Sequence, residues 1–198
     1  MRIAGLVLAA GRSSRMAPRN KLLEPVGGEK MVRRVAATAI AGGVTPVIVV
    51  TGHEAQAVAA ALSGLAVTIV ANPDYADGLS TSLRAGLGGL PAAIDGALIL
   101  LGDMPAVGTG VLGALMAAFT GANAICVPVR HGRRGNPVLW GSAYFAEMMQ
   151  LSGDSGAKPL MALHEAHVVE VEVATDSIFE DVDAPKDLAR LNRSGATR

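Results

Sequence analysis

Aromatic side chains make up only 3% of this 198-residue sequence. So little ring surface argues against a stacking platform for single-stranded nucleic acid. Cysteine is rarer still, with Cys126 alone inside the apolar run Ala124-Ile125-Cys126-Val127. One cysteine excludes an internal disulfide and any multi-cysteine zinc site, and it reads as a small buried hydrophobe. Charge is scarce and balanced: 17% of residues are charged, 17 basic against 17 acidic. That leaves no long-range field for nucleic acid or an anionic membrane, so any phosphate binding must be local. No uninterrupted apolar run is long enough to span a bilayer. The stretch from Met1 to Val7 has the outline of a short signal sequence, but Gly11-Arg12-Ser13-Ser14-Arg15 follows at once and needs the preceding strand beneath it. The expectation is therefore a cytosolic chain with no targeting segment.

What is present is an alternation of strands and helices. Apolar runs at Ile3 to Leu8, Pro46 to Val50, Val67 to Val70, Ala97 to Leu101 and Ala124 to Val127 read as buried strands. Between them, Met31 to Ala41, His53 to Leu62, Leu79 to Leu87 and Val107 to Phe119 read as helices, the first closed by Gly42-Gly43. Such alternation implies right-handed crossovers and a mostly parallel sheet, hence one α/β domain. Beyond residue 128 the rhythm changes. Arg130 to Asn136 is expected to be an exposed loop, Val138 to Trp140 a strand, Ser142 to Met149 and Ala157 to His164 helices, and Val168 to Val173 a strand. The last helix is expected over Pro185 to Leu191, giving a single domain over 1–191 and a frayed tail over 192–198.

Three segments carry chemistry. Leu8-Ala9-Ala10-Gly11-Arg12-Ser13-Ser14-Arg15-Met16, with Lys21 close behind, sits at the C-terminal end of the first strand, where open α/β sheets bind ligands. Small residues let backbone N–H groups lie against phosphate oxygens, and Arg12, Arg15 and Lys21 can neutralise a triphosphate. This loop carries neither the Gly-x-x-x-x-Gly-Lys-Ser/Thr of ATPases nor the Gly-x-Gly-x-x-Gly of dehydrogenases. The second segment is Leu101-Gly102-Asp103-Met104-Pro105. Asp103 would project above the same sheet edge, either as a hard oxygen ligand for Mg²⁺ or as a cap for the next helix. The third is Asp181-Val182-Asp183-Ala184-Pro185. Its two acids share a face of an extended stretch, and Asp183 could complete a metal site or cap the helix starting at Pro185. His53, His131, His164 and His167 show no metal-ligand spacing and read as surface or packing residues.

Taken with Gly78-Leu79-Ser80-x-Ser82-Leu83-Arg84-x-Gly86 and Arg134-Gly135-Asn136-Pro137, these segments resemble the MobA-like nucleotidyltransferases, in order from Leu8 to Leu188. Within that family the chain is most similar to the molybdenum cofactor cytidylyltransferases. The resemblance implies a Rossmann-like three-layer sandwich of the nucleotide-diphospho-sugar transferase type. It also implies transfer of CMP from CTP to a phosphorylated pterin-type acceptor, molybdopterin, with release of pyrophosphate. Leu8, Ala9, Ala10, Gly11, Arg12, Ser13 and Ser82 would then bind nucleotide, with Arg15 and Lys21 on its phosphates and Asp103 and Asp183 holding Mg²⁺. Arg134, Asn136 and Asp154 would meet the acceptor, and a molybdoenzyme would be the partner. Ala10, where guanylyl-transferring relatives have Gly, points to cytosine. Ala17, Asn136 and Lys158 depart from the Gly, His and Arg common at those places, the last two in the acceptor region. Rival readings are nucleotidyl transfer to a sugar or polyol phosphate, a redox enzyme on the same scaffold, and a cofactor-binding accessory protein.

Overall fold

In the computed structural model, which describes residues 1–154 and 156–195, the chain builds one large mixed sheet with helices on both faces. In chain order the elements are β1 (Ile3–Ala9), β2 (Pro25–Val26), β3 (Glu29–Lys30), α1 (Met31–Ala41), β4 (Val47–Thr51), α2 (Ala55–Ala61), β5 (Thr68–Ala71) and α3 (Leu79–Gly88). There follow β6 (Gly96–Leu101), α4 (Thr109–Ala118), β7 (Ile125–Arg130), β8 (Arg133–Arg134), β9 (Val138–Gly141), α5 (Phe145–Met148), α6 (Lys158–Leu163), β10 (Val168–Glu172) and α7 (Pro185–Gly195). The sheet order is β10-β7-β9-β6-β1-β4-β5, with β8 on β7 and a separate β2-β3 pair.

β1 lies inside the sheet, parallel to both of its neighbours, β4 and β6. Its period-two alternation sends Val7 and Ala9 to one face and Leu6 and Leu8 to the other. On the first face Val49, Leu98 and Leu100 pack with Val35 and Ala36 of α1, Val58 of α2 and Leu112 and Leu115 of α4. On the second, Ile48, Val50, Ile99 and Trp140 pack with Leu83 of α3, Met148 of α5 and Leu160 of α6. This is the expected three-layer arrangement with a mostly parallel sheet. β9 runs antiparallel between β6 and β7, and the short β8 is antiparallel to β7. Gly86 lets α3 press onto the sheet, since a Cβ there would stand 2.2 Å from Leu6 Cδ1.

Three expectations need correction. The stretch 130–136 is no plain loop: β7 and β8 form a tight hairpin through His131 and Gly132, both at positive φ (53° and 69°), the backbone a two-residue turn between twisted strands requires. The helix expected over 142–149 divides into a 3-10 turn at Ser142–Tyr144 and the short α5. The tail does not fray at Asn192, because α7 continues to Gly195. Asn192 accepts from the Gly27 backbone N–H at 3.0 Å and donates to the Pro25 carbonyl at 3.1 Å. Leu188 and Leu191 pack on Val26, Met31 and Val182. Residues 196–198 lie outside the described residues.

Cys126 has no exposed surface, and burial pushes its thiol up to about 11, as suits a packing residue. Among the described residues no helix is long and apolar enough to cross a membrane.

Candidate active site

Strand order reverses direction about β1, so the loops leaving β1 and β6 part above the same rim. Between them lies a cavity of about 520 Å³. Leu8 of β1 and Ala10, Gly11, Arg12, Ser13 and Arg15 of the loop after it line the cavity, and Lys21, Ser82, Asp103, Asp154 and Asp183 complete the polar wall. Ala9 is the one member of the expected nucleotide set that stays out, because strand alternation turns its methyl into the core, 1% exposed.

The turn that delivers Lys21 is built by side chains. Ser13, in the left-handed region at φ 53°, donates its hydroxyl to Asn20 Oδ1 at 3.3 Å and accepts from the Lys21 backbone N–H at 3.2 Å. Asn20 Oδ1 also accepts from Leu22 N at 3.1 Å. Lys21 Nζ then stands 2.7 Å from Asp103 Oδ2 and 2.9 Å from Asp183 Oδ1, while Arg15 pairs with Asp183 Oδ2. The two acids are held together from below, because the Val182 N–H donates to the Asp103 carbonyl at 2.9 Å. Neither acid caps a helix with its carboxylate. Gly108 is the N-cap of α4, and Asp187 accepts the N–H of Ala184 at 2.9 Å and that of Asp183 at 3.3 Å. Asp181 is exposed and lies outside the cavity.

Burial works to lower the Lys21 pKa, but the charge and hydrogen bonds of Asp103 and Asp183 outweigh it and hold the ammonium above its ordinary 10.5. The hydrogen bond from Lys21 pulls the Asp183 carboxyl below its ordinary 3.8 against a smaller opposing effect of burial, and the charges of Lys21 and Arg15 add to the pull. Both shifts favour the charged forms of Lys21 and Asp183 at neutral pH.

Two polar residues that sequence reasoning passed over shape the far wall. Asn72, 3% exposed at the end of β5, donates to Thr81 Oγ1 at 2.9 Å and Ser82 Oγ at 3.0 Å, tying the strand to the first turn of α3. Tyr75 lines the cavity, with the Arg12 guanidinium 6.0 Å from its ring centroid. Position carries the signal for both: each follows the end of β5, Asn72 directly, and Tyr75, one of only two tyrosines, lines the cavity.

A second cavity of about 440 Å³ adjoins the first, sharing Leu8, Leu79, Leu101 and Asp154 with it and adding Asn136, Trp140, Lys158 and Met161. Asp154 accepts the Leu79 N–H at 3.3 Å, at the start of α3. Arg134, expected beside Asn136, does not join either lining. Its guanidinium is taken up by Glu165 and by Glu170 at 2.7 Å.

The spacing Gly-x-Gly-x-x-Gly does occur in the chain, away from the first loop, at Gly108-Thr109-Gly110-Val111-Leu112-Gly113. It opens α4, yet a Cβ at Gly108, Gly110 or Gly113 would meet nothing within 4 Å, and none of the three has a positive φ. These glycines therefore serve neither the tight turn nor the close packing that a dinucleotide fingerprint needs.

Among the described residues no group of three or more His, Cys, Asp or Glu side chains is placed to hold a metal. Asp103 and Asp183 fit a different pattern, in which two carboxylates around one cation leave the remaining positions to substrate oxygens. The two acids already converge on a single positive atom, Lys21 Nζ.

Residues 5–170 match the model of the MobA-like NTP transferase domain. Nicotine blue oxidoreductase of Paenarthrobacter nicotinovorans is 29% identical over 96% of both chains. Bifunctional protein GlmU of an Anaeromyxobacter strain is 30% identical over 89% of this chain, which spans 35% of that longer protein. Among solved structures, a nucleotidyl transferase from Methanothermobacter thermautotroptrophicus superposes with a TM-score of 0.87 at 28% identity, covering 99% of this chain and 98% of the other. Rv0371c of Mycobacterium tuberculosis, solved in complex with manganese, superposes with a TM-score of 0.78 at 29% identity, covering 98% and 100%.

Proposed function

Because the chain belongs to the MobA-like NTP transferase family, we propose that it transfers CMP from CTP to the terminal phosphate of molybdopterin and releases pyrophosphate. One observation carries the reading: Lys21, Asp103 and Asp183, far apart in sequence, meet on a single atom in the wall of a cavity floored by the Gly11 loop. An acceptor phosphate oxygen attacks the α-phosphorus, a new P–O bond forms, and the bond to the β-phosphate breaks. That oxygen is already ionised at neutral pH, so no side chain need remove a proton from it.

Arg12, Arg15 and Lys21 offset the charge of the triphosphate and of the leaving pyrophosphate. Ser82, steadied by Asn72, faces the nucleotide. A divalent ion, Mg²⁺ in this reading, would be held by Asp103 and Asp183 and would supply Lewis-acid polarisation of phosphate oxygens. The adjoining cavity, with Trp140, Met161, Asn136 and Lys158, suits an acceptor that is part apolar ring and part phosphate. Arg134 leaves the acceptor set because its charge is already paired. Cytosine as the base rests on Ala10 in the first loop, and a molybdoenzyme receiving the product completes the proposal.

The test is pyrophosphate release from CTP, GTP, ATP and UTP, each with and without molybdopterin, in Mg²⁺. The expected result is release from CTP that needs both acceptor and metal. Preference for GTP would overturn the base assignment, and transfer to a sugar phosphate in place of molybdopterin would overturn the acceptor. A second reading, oxidoreduction of a pigment, is favoured by the likeness to nicotine blue oxidoreductase along nearly the whole chain. It requires consumption of an added reductant, such as a reduced nicotinamide, that depends on an added pigment and proceeds without pyrophosphate release, read by absorbance in samples holding both.

A further inference from the structure

We propose that Lys21 is a placeholder cation, occupying the seat between Asp103 and Asp183 until a nucleotide draws its ammonium away and a divalent ion takes over. This rests on the reading of those two carboxylates as metal ligands. Lys21 Nζ contacts Asp103 Oδ2 at 2.7 Å and Asp183 Oδ1 at 2.9 Å, and Arg15 covers the other oxygen of Asp183. The Lys21 side chain is 13% exposed and that of Asp103 23%, so this contact is largely withdrawn from water, while Asp183, at 39%, stays partly open to it. Two carboxylates facing one another in such a place repel unless a cation sits between them. An ammonium and a metal ion would need the same oxygens, so they compete.

The backbone of Lys21 is fixed by the Ser13 and Asn20 hydrogen bonds. Only its flexible four-carbon stem is free to swing. In the free enzyme the ammonium has no better anion to go to, and a lone divalent ion must evict it. A triphosphate in the cavity changes the balance, because its oxygens accept the ammonium and complete the coordination of the ion. Metal and nucleotide then tighten one another by the same factor, as linkage demands. The residue that binds phosphate thus also keeps the carboxylates from loading metal prematurely.

The test measures Mn²⁺ binding, through the electron paramagnetic resonance signal of free Mn²⁺ and through thermal shift, without and with CTP. Lys21→Gln is expected to bind Mn²⁺ at least tenfold more tightly than wild type in the absence of nucleotide, and Lys21→Arg, which keeps a cation there, is not. CTP is expected to tighten Mn²⁺ binding strongly in wild type and much less in Lys21→Gln. Unchanged or weaker Mn²⁺ binding by a cooperatively folding Lys21→Gln overturns the inference. So does wild type in which CTP and Mn²⁺ bind independently, a readout that needs no variant. Asp103→Asn separates the two levels. If it binds Mn²⁺ with CTP as well as wild type, the metal reading itself fails. If it binds poorly while Lys21→Gln gains nothing, only the placeholder role fails.

Discussion

Lys21 and Arg134 each bridge two carboxylates, and the two bridges differ in kind. Lys21 joins Asp103 and Asp183 at the cavity, whereas Arg134 joins Glu165 and Glu170 on the surface between the β8 hairpin and the start of β10. The Lys21 ammonium is a point charge on a flexible stem, 13% exposed and lining the cavity, where another anion can reach it. The Arg134 guanidinium is a planar fork, doubly hydrogen-bonded to Glu165, with partners more than half exposed. Stoichiometry alone would make them equivalent. Burial and the freedom to exchange partners suit the first to the reactive role proposed for it and leave the second a solvent-screened clamp.

The comparison breaks most readily at Asp103. Asp103→Ala is expected to lower turnover at least about a hundredfold while the melting temperature moves little, as steady-state pyrophosphate release and calorimetry would show. An active variant would return Asp103 to the status of an ordinary surface acid. A neutral network sharpens the contrast. Asn72→Ala strips Ser82 of its hydrogen-bond donor inside the fold, with an expected cost of about 1–3 kcal/mol in denaturant unfolding and a weaker grip on nucleotide.

Acid and base separate the two bridges next. Asp183 sits below its ordinary 3.8 when folded, so its contribution is full above that value and is lost as pH falls through the lower folded value. Lys21 sits above 10.5, so its contribution is full below that value and is lost as pH rises through the higher folded one. Asp183→Asn should therefore trail wild type by a constant, modest margin between these limits, since its side chain is 39% exposed and screened. The margin should close in acid, and a margin that widens there would contradict the pairing. The smallest effect belongs to Arg134→Ala, expected to leave both melting temperature and turnover nearly unchanged because exposed pairs are screened. A large loss of turnover alone would restore Arg134 to the acceptor site.

The sequence made the left half of the fold easy to read and the right half hard. β1 and α1 stand out because a continuous apolar run and a glycine-terminated helix are local signals, and both appear where expected. The Gly11 loop and Asp103 follow from being at strand ends, since strand polarity alone puts them on one rim. The fate of Arg134 was not legible, because its partners Glu165 and Glu170 come from elements some thirty residues away. Nor was the persistence of α7 past Leu191, which depends on Asn192 finding the β2-β3 turn. The glycines at 108, 110 and 113 have the spacing of a fingerprint, and backbone geometry shows that nothing requires glycine there. Local patterns announce elements, whereas long-range pairings decide which side chains remain available for chemistry.

The central claim is that Asp183, brought to Lys21 and Asp103 from the far end of the chain, is part of the reacting centre. Pyrophosphate release from CTP and molybdopterin by Asp183→Asn, at saturating Mg²⁺, tests it most directly. The account predicts a folded protein whose turnover has collapsed. A variant that releases pyrophosphate at the wild-type rate would contradict it.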